Sequence, residues 1–126
     1  MTTSELAAAL RACAHGPYPL EAGIALLISS GAFLHRPDFT GRFIEQGTSG
    51  GTAMAAVDWD AAVNALASGG VPCSDERRLL QLAVSLAGGI TVDLRDVITG
   101  LDDRNIGRLI TAILHASGKR PETSGY

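Results

Sequence analysis

The chain contains few aromatic and few charged residues. Of its 126 residues, 5% are aromatic and 18% are charged, whereas about a quarter are charged in an average domain. With so few aromatic residues, the core is expected to be built mainly from Ala, Leu, Ile and Val. Few charges leave little polar surface to cover that core, so the composition predicts an apolar face that binds another protein or a second copy of this chain.

A basic excess, a long apolar run and a secretory leader are also lacking. The net charge of −3 gives no general attraction to nucleic acid or to anionic lipid. No stretch approaches the roughly 20 apolar residues that a membrane span needs. Residues 1–10 have neither the basic start nor the apolar run of a signal peptide. These absences predict a cytoplasmic protein with no membrane partner.

Cysteine is scarce, and no motif for a metal, cofactor or catalytic site is present. Cys13 and Cys73 lie far apart in the sequence and are expected to be reduced, small and buried. The histidines show no HxxxH spacing and the cysteines no CxxC spacing. There is no Gly-x-Ser-x-Gly elbow. The sequence therefore predicts no metal, cofactor or catalytic residue, and it favours a binding protein over an enzyme.

What the chain does contain is a series of short apolar segments with helix start and stop signals. The clearest is residues 74–87, SDERRLLQLAVSLA, with Ser74 as the expected N-cap and Gly88-Gly89 as the stop. At 100° per residue its apolar side chains cover an arc of about 200°. A surface helix has a narrower stripe, so this segment is expected to be the central helix.

Similar signals recur along the chain. Thr2 and Glu5 have the spacing of a capping box, and Asp58, Asp93 and Asp102 each precede an apolar segment. These signals predict an all-α fold, a single compact bundle of about six short helices over residues 1–118, with a flexible tail at 119–126.

The glycine-rich stretch GTSGGT, residues 47–52, is expected to be a loop between two helical halves. The preceding helix, which begins at Pro37, is expected to run to Gly47. Since no strand is predicted before the stretch and it contains no lysine, it lacks the features of a phosphate-binding loop.

The last predicted helix, residues 103–117, presents the candidate interaction face. Arg104, Arg108, Thr111 and His115 fall on one narrow arc at helical spacing. Arginine donates paired hydrogen bonds to carboxylates and phosphates, so this face suits an acidic partner or a nucleic-acid backbone. An ordinary solvated face is the alternative interpretation. The apolar side of the helix is formed by Ile106, Leu109, Ile110, Ile113, Leu114 and Ala116.

The segments 93–99 and 103–117 also invite comparison with a helix-turn-helix. The second helix of that motif enters the major groove with its first turns. Here those turns begin with Asp102 and Asp103, which phosphates repel. DNA binding therefore remains a disfavoured alternative.

Much of the chain resembles a group of small uncharacterised proteins from high-GC actinobacterial genomes. The resemblance rests on residues 57–118, from VDWDAAVNALASGG to LITAILHASG, and on LLISSGAFLHRPDFTGRFI upstream. It implies a free-standing, small all-helical protein. The group has no known activity, so the resemblance implies no functional residue.

The leading hypothesis is a non-catalytic helical protein that acts by binding a protein partner or itself as a homodimer. One alternative is a DNA-associated regulator that uses the basic face of the last helix. The other is a small-ligand-binding protein or enzyme, which requires a pocket with convergent polar groups.

Overall fold

The computed structural model describes residues 2–31, 33–70 and 74–118. In these residues the chain forms seven helices and one antiparallel pair of strands. The elements in order are α1 (Thr3–Ala14), α2 (Tyr18–Ser30), α3 (Pro37–Phe43), β1 (Ile44–Ser49), β2 (Thr52–Val57), α4 (Trp59–Ser68), α5 (Ser74–Gly88), α6 (Leu94–Ile98) and α7 (Asp103–Ala116). The predicted tail and Cys73 lie outside the described residues.

The prediction of a purely helical bundle of about six helices is wrong. About 67% of the structure is helical, but α3 ends at Phe43 and the chain continues directly into a β-hairpin. Ile44 pairs with Val57 at its base and Ser49 with Thr52 at its tip. The stretch expected to be a loop therefore forms the end of β1, the turn and the start of β2.

The hairpin depends on two adjacent glycines. Gly50 and Gly51 have φ angles of 59° and 82°, the left-handed values that a two-residue type I′ turn requires at both central positions. The adjacent glycines were the sequence signal for this hairpin. The flanking strands were missed because β1 is exposed beyond Ile44 and shows no apolar alternation. Burial of Ala55 and Val57, on the strand that packs against α1, holds the hairpin to the domain.

The predicted helix starts are confirmed wherever the capping side chain is described. Thr2 and Glu5 form the reciprocal capping box of α1. Asp58, Asp93 and Asp102 each accept a hydrogen bond from the amide three residues on, at 3.0, 3.2 and 2.8 Å. These bonds satisfy first-turn amides that have no partner within the helix. The Ser74 side chain lies outside the described part of the chain.

The α5 helix occupies the centre of the fold, as its wide apolar arc predicts. It packs against α2, α4, α6 and α7. Its buried side chains are Leu79, Leu80, Leu82, Ala83 and Val84. The polar arc is itself half-buried, and Arg77 donates a hydrogen bond of 2.9 Å to the carbonyl of Leu66. Both the apolar and the polar arc of α5 therefore contact the rest of the domain, and the role of this helix is structural.

The expectation that Cys13 is a small buried residue is wrong, because its side chain is exposed. In α1 the buried residues are Leu6, Ala7, Ala9, Leu10 and Ala14. The last turn of α1 is thus buried through Ala14, which leaves Cys13 facing solvent.

Helices α2 and α5 approach closely at Gly23. A Cβ atom added there would lie 2.9 Å from the carbonyl oxygen of Ala83 and 2.9 Å from the Cβ of Ala87. Neither group belongs to a flexible side chain that can move aside. Gly23 is therefore required by close helix packing, although glycine lowers helix propensity by about 1 kcal/mol relative to alanine.

We predict that Gly23→Ala destabilises the protein by about 1–3 kcal/mol, because the added methyl group overpacks the α2–α5 contact. Urea unfolding followed by circular dichroism measures the change. The control is Gly41→Ala in α3, where an added Cβ meets nothing within 4 Å. That variant is expected to be neutral or more stable. Equal effects of the two substitutions would contradict this role of Gly23.

Candidate functional site

The four residues of the predicted interaction face lie on one side of α7, along a groove between α7 and α2. Arg104, Arg108, Thr111 and His115 all line this groove, whose volume is about 370 Å³. The opposite wall is formed by the α2 residues Ala25, Leu26 and Ser29. The four residues therefore lie together, as helical spacing predicts, but they face α2 across the groove as well as solvent.

Two of the four side chains are held by partners within the chain. Arg108 donates a hydrogen bond of 2.8 Å to the Oδ1 atom of Asn105, the one polar residue among the buried side chains of the described part. His115 Nε2 lies 2.7 Å from Glu21 Oε1. Arg104 and Thr111 are exposed. The basic face is thus only partly available to a partner.

The apolar side of α7 is only partly buried. Leu109 and Ala112 are buried, but Ile110 is 54% exposed and Ile113 is 46% exposed. The physical reason is that α7 packs mainly on α2. The buried arc of α7 is formed by Asn105, Leu109 and Ala112, and Ile110 and Ile113 lie outside it.

A second cleft also brings several polar side chains together. It lies between the end of α1, the first turns of α2 and the end of α7, and its volume is about 390 Å³. Among the residues that line it are Arg11, His15, Tyr18, Glu21, Ile24 and His115. Because His115 lines this cleft as well as the groove, the two depressions adjoin at this residue.

Glu21 is the polar centre of this cleft. Its Oε2 atom accepts a hydrogen bond of 2.7 Å from the Gly16 amide, and its Oε1 atom contacts His115. The Gly16 amide, followed by His115, lowers the pKa of the Glu21 carboxyl. An ionised carboxylate only accepts hydrogen bonds, so the Nε2 atom of His115 carries the donated proton. The contact joins the start of α2 to the end of α7.

Tyr18 and His115 complete this corner of the cleft. Their rings meet edge to face with centroids 6.0 Å apart, a favourable arrangement for aromatic pairs. Helical spacing predicted His115 on the interaction face, but no pattern in the sequence indicated Glu21 or Tyr18. Glu21 and His115 are 94 residues apart, and no local pattern indicates that they meet.

Within residues 2–31, 33–70 and 74–118, no three His, Cys, Asp or Glu side chains lie close enough to hold a metal ion. In the same residues no helix is both long and apolar enough to cross a membrane.

Comparison with known proteins gives no relative from which a function can be inferred. No family model, curated protein or solved structure matches the chain.

We predict that Glu21→Gln lowers the melting temperature at pH 7, because glutamine keeps the shape of the side chain but removes the charge that Gly16 and His115 stabilise. A carboxyl whose pKa is lowered by folding stabilises the protein above its ordinary pKa and loses that contribution as the pH falls. The difference between the variant and the wild type should therefore shrink below about pH 4.

Thermal unfolding between pH 7 and pH 3 measures this difference. Arg11, His15 and His115 also line the cleft with Glu21. Since both proteins contain them, the difference in melting temperature between the variant and the wild type is followed across the pH series. The control is Glu45→Gln in β1, where the side chain is exposed and no effect is expected. If the two melting temperatures are equal at pH 7, or if their difference stays constant down to pH 3, the charge of Glu21 does not stabilise the protein.

Proposed function

We propose that this protein acts by binding another protein through α7, and that its partner is a second copy of the same chain. The observation that supports this is the exposed apolar arc of α7. Ile106, Ile110 and Ile113 lie within about 60° of one another at helical spacing. Two of them are about half exposed in the monomer, and burying isoleucine side chains is favourable by about 25 cal/mol per Å² of apolar surface.

The arc is arranged so that it can pair with itself. Ile110 lies near the middle of α7, with Ile106 and Gly107 on one side of it and Ile113 and Leu114 on the other. In an antiparallel pair with its two-fold axis at Ile110, Ile113 and Leu114 of each copy lie opposite Ile106 and Gly107 of the other. The end with two large side chains thus meets the end that contains a glycine. An added Cβ at Gly107 meets nothing within 4 Å, so this position offers room for a partner's side chain. Such self-complementarity is what a two-fold dimer requires.

Charge favours the antiparallel arrangement over the parallel one. Asp102 and Asp103 lie at the start of α7, and a parallel pair would bring four carboxylates together. The antiparallel pair separates them by roughly the length of the helix, about 20 Å at 1.5 Å per residue. Charges this far apart on the surface are largely screened by salt.

The size of this contact predicts a reversible dimer. A stable interface usually buries about 800 Å² on each partner, and one short helix pair provides less than that. We therefore expect dissociation in the micromolar range, with monomer and dimer in exchange.

The geometry of α7 favours DNA binding less than it favours self-association. Arg108 and His115 are engaged by Asn105 and Glu21, and Asp102 and Asp103 begin the helix. Because these acidic residues precede the first turns of α7, phosphates would be repelled where a recognition helix approaches the groove.

We predict that Ile110→Asp abolishes self-association, because the dimer would place two carboxylates beside each other at its axis. Sedimentation velocity across a concentration series from about 1 to 500 μM measures the effect, a range chosen to bracket a micromolar dissociation constant. The wild type should shift from monomer toward dimer, and the variant should sediment as a monomer throughout.

The matched control is Ala8→Asp, which introduces the same charge at an exposed position of α1 and should dimerise like the wild type. Circular dichroism checks that both variants keep the helical fold. A wild type that stays monomeric over the whole series, or an Ile110→Asp variant that still dimerises, would overturn the proposal.

A further inference from the structure

The cleft around Glu21 has the size and the mixed lining of a small-molecule site. Its volume of about 390 Å³ lies within the range of about 300–1,000 Å³ that is usual for ligand pockets. Ala14, Ile24 and Ala25 contribute apolar surface. The Tyr18 ring also lines the cleft and is 54% exposed.

Glu21, the only carboxylate among the described residues that line the cleft, already has partners on both oxygens. Glu21 accepts from the Gly16 amide at 2.7 Å and from His115 at 2.7 Å. It therefore has little capacity left to neutralise a further cation in the cleft. The hydrogen-bonding capacity of the Glu21 carboxylate is thus used by groups of the protein itself.

The cationic side of the cleft is not satisfied in this way. Arg11 lines the cleft and is exposed, and in the described residues its guanidinium has no hydrogen-bond or ion-pair partner. His15 lies on the same side, beside Gly16. A guanidinium presents paired N–H donors that match the two oxygens of a carboxylate.

We propose that this cleft binds small organic carboxylic acids that have an apolar body. The carboxylate of the ligand pairs with Arg11, with His15 beside it. The apolar body lies against Ile24 and the ring of Tyr18. This site is separate from the isoleucine arc of α7, because neither Ile110 nor Ile113 lines the cleft, and it does not depend on dimerisation.

The test uses sodium benzoate as the probe, with benzamide as its neutral analogue of nearly the same shape. Two-dimensional amide NMR of the full chain follows the titration. We expect saturable shifts at Gly16, Tyr18 and Glu21, with a dissociation constant on the order of 1 mM or below for benzoate and weaker binding of benzamide.

Two variants test the roles of the cation and the apolar wall. Arg11→Gln should weaken benzoate binding about tenfold, because it removes a charge-assisted hydrogen-bond pair, and should leave benzamide binding unchanged. Tyr18→Ala should weaken the binding of both compounds. The control is Arg95→Gln on α6, a residue that does not line the cleft, which should bind benzoate like the wild type.

Four results would each overturn the proposal. They are the absence of saturable shifts with benzoate, shifts that centre on another surface, equal binding of benzoate and benzamide by the wild type, and unchanged benzoate binding by Arg11→Gln. Both substituted arginine and tyrosine side chains are exposed, so the variants are expected to fold, and the same amide spectra confirm whether they do.

Discussion

The close contact between α2 and α5 at Gly23 is the constraint on which the rest of the structure depends. Only a glycine lets the two backbones approach to this distance, and α2 also packs against α1 and α7. The α2 helix is therefore positioned by α5 and in turn positions the helices that form both clefts. A shift of α2 would move Glu21 away from His115 and would change the groove along α7.

The helix starts were predictable because each depends on residues that are adjacent in sequence. A capping side chain and the amide that it accepts from are three residues apart, so Asp58 and Asp102 identified their helices without tertiary information. The hairpin was missed for the opposite reason. Apart from the adjacent glycines of the turn, no local pattern indicated it, because β1 is mostly exposed. The strands are stabilised by pairing with each other and by the contact of β2 with α1.

The candidate site was predictable only in part. Helical spacing placed Arg104, Arg108, Thr111 and His115 on one side of α7, and the structure keeps them there. Spacing alone could not show which residues of the apolar side would find a neighbour, since this depends on where α2 crosses α7. It also could not place Glu21 beside His115, because this contact joins distant parts of the chain.

The position of α2 between α5 and α7 has a consequence for how the protein is made. Translation proceeds from the N-terminus, so α2 leaves the ribosome well before the two helices that cover it. The buried side chains Ile24, Leu26 and Leu27 lack α5 until residue 88 has been synthesised and α7 until residue 116 has been synthesised. The contacts that cover α2 therefore form late, and until then its apolar side chains are exposed surface of the kind that promotes aggregation.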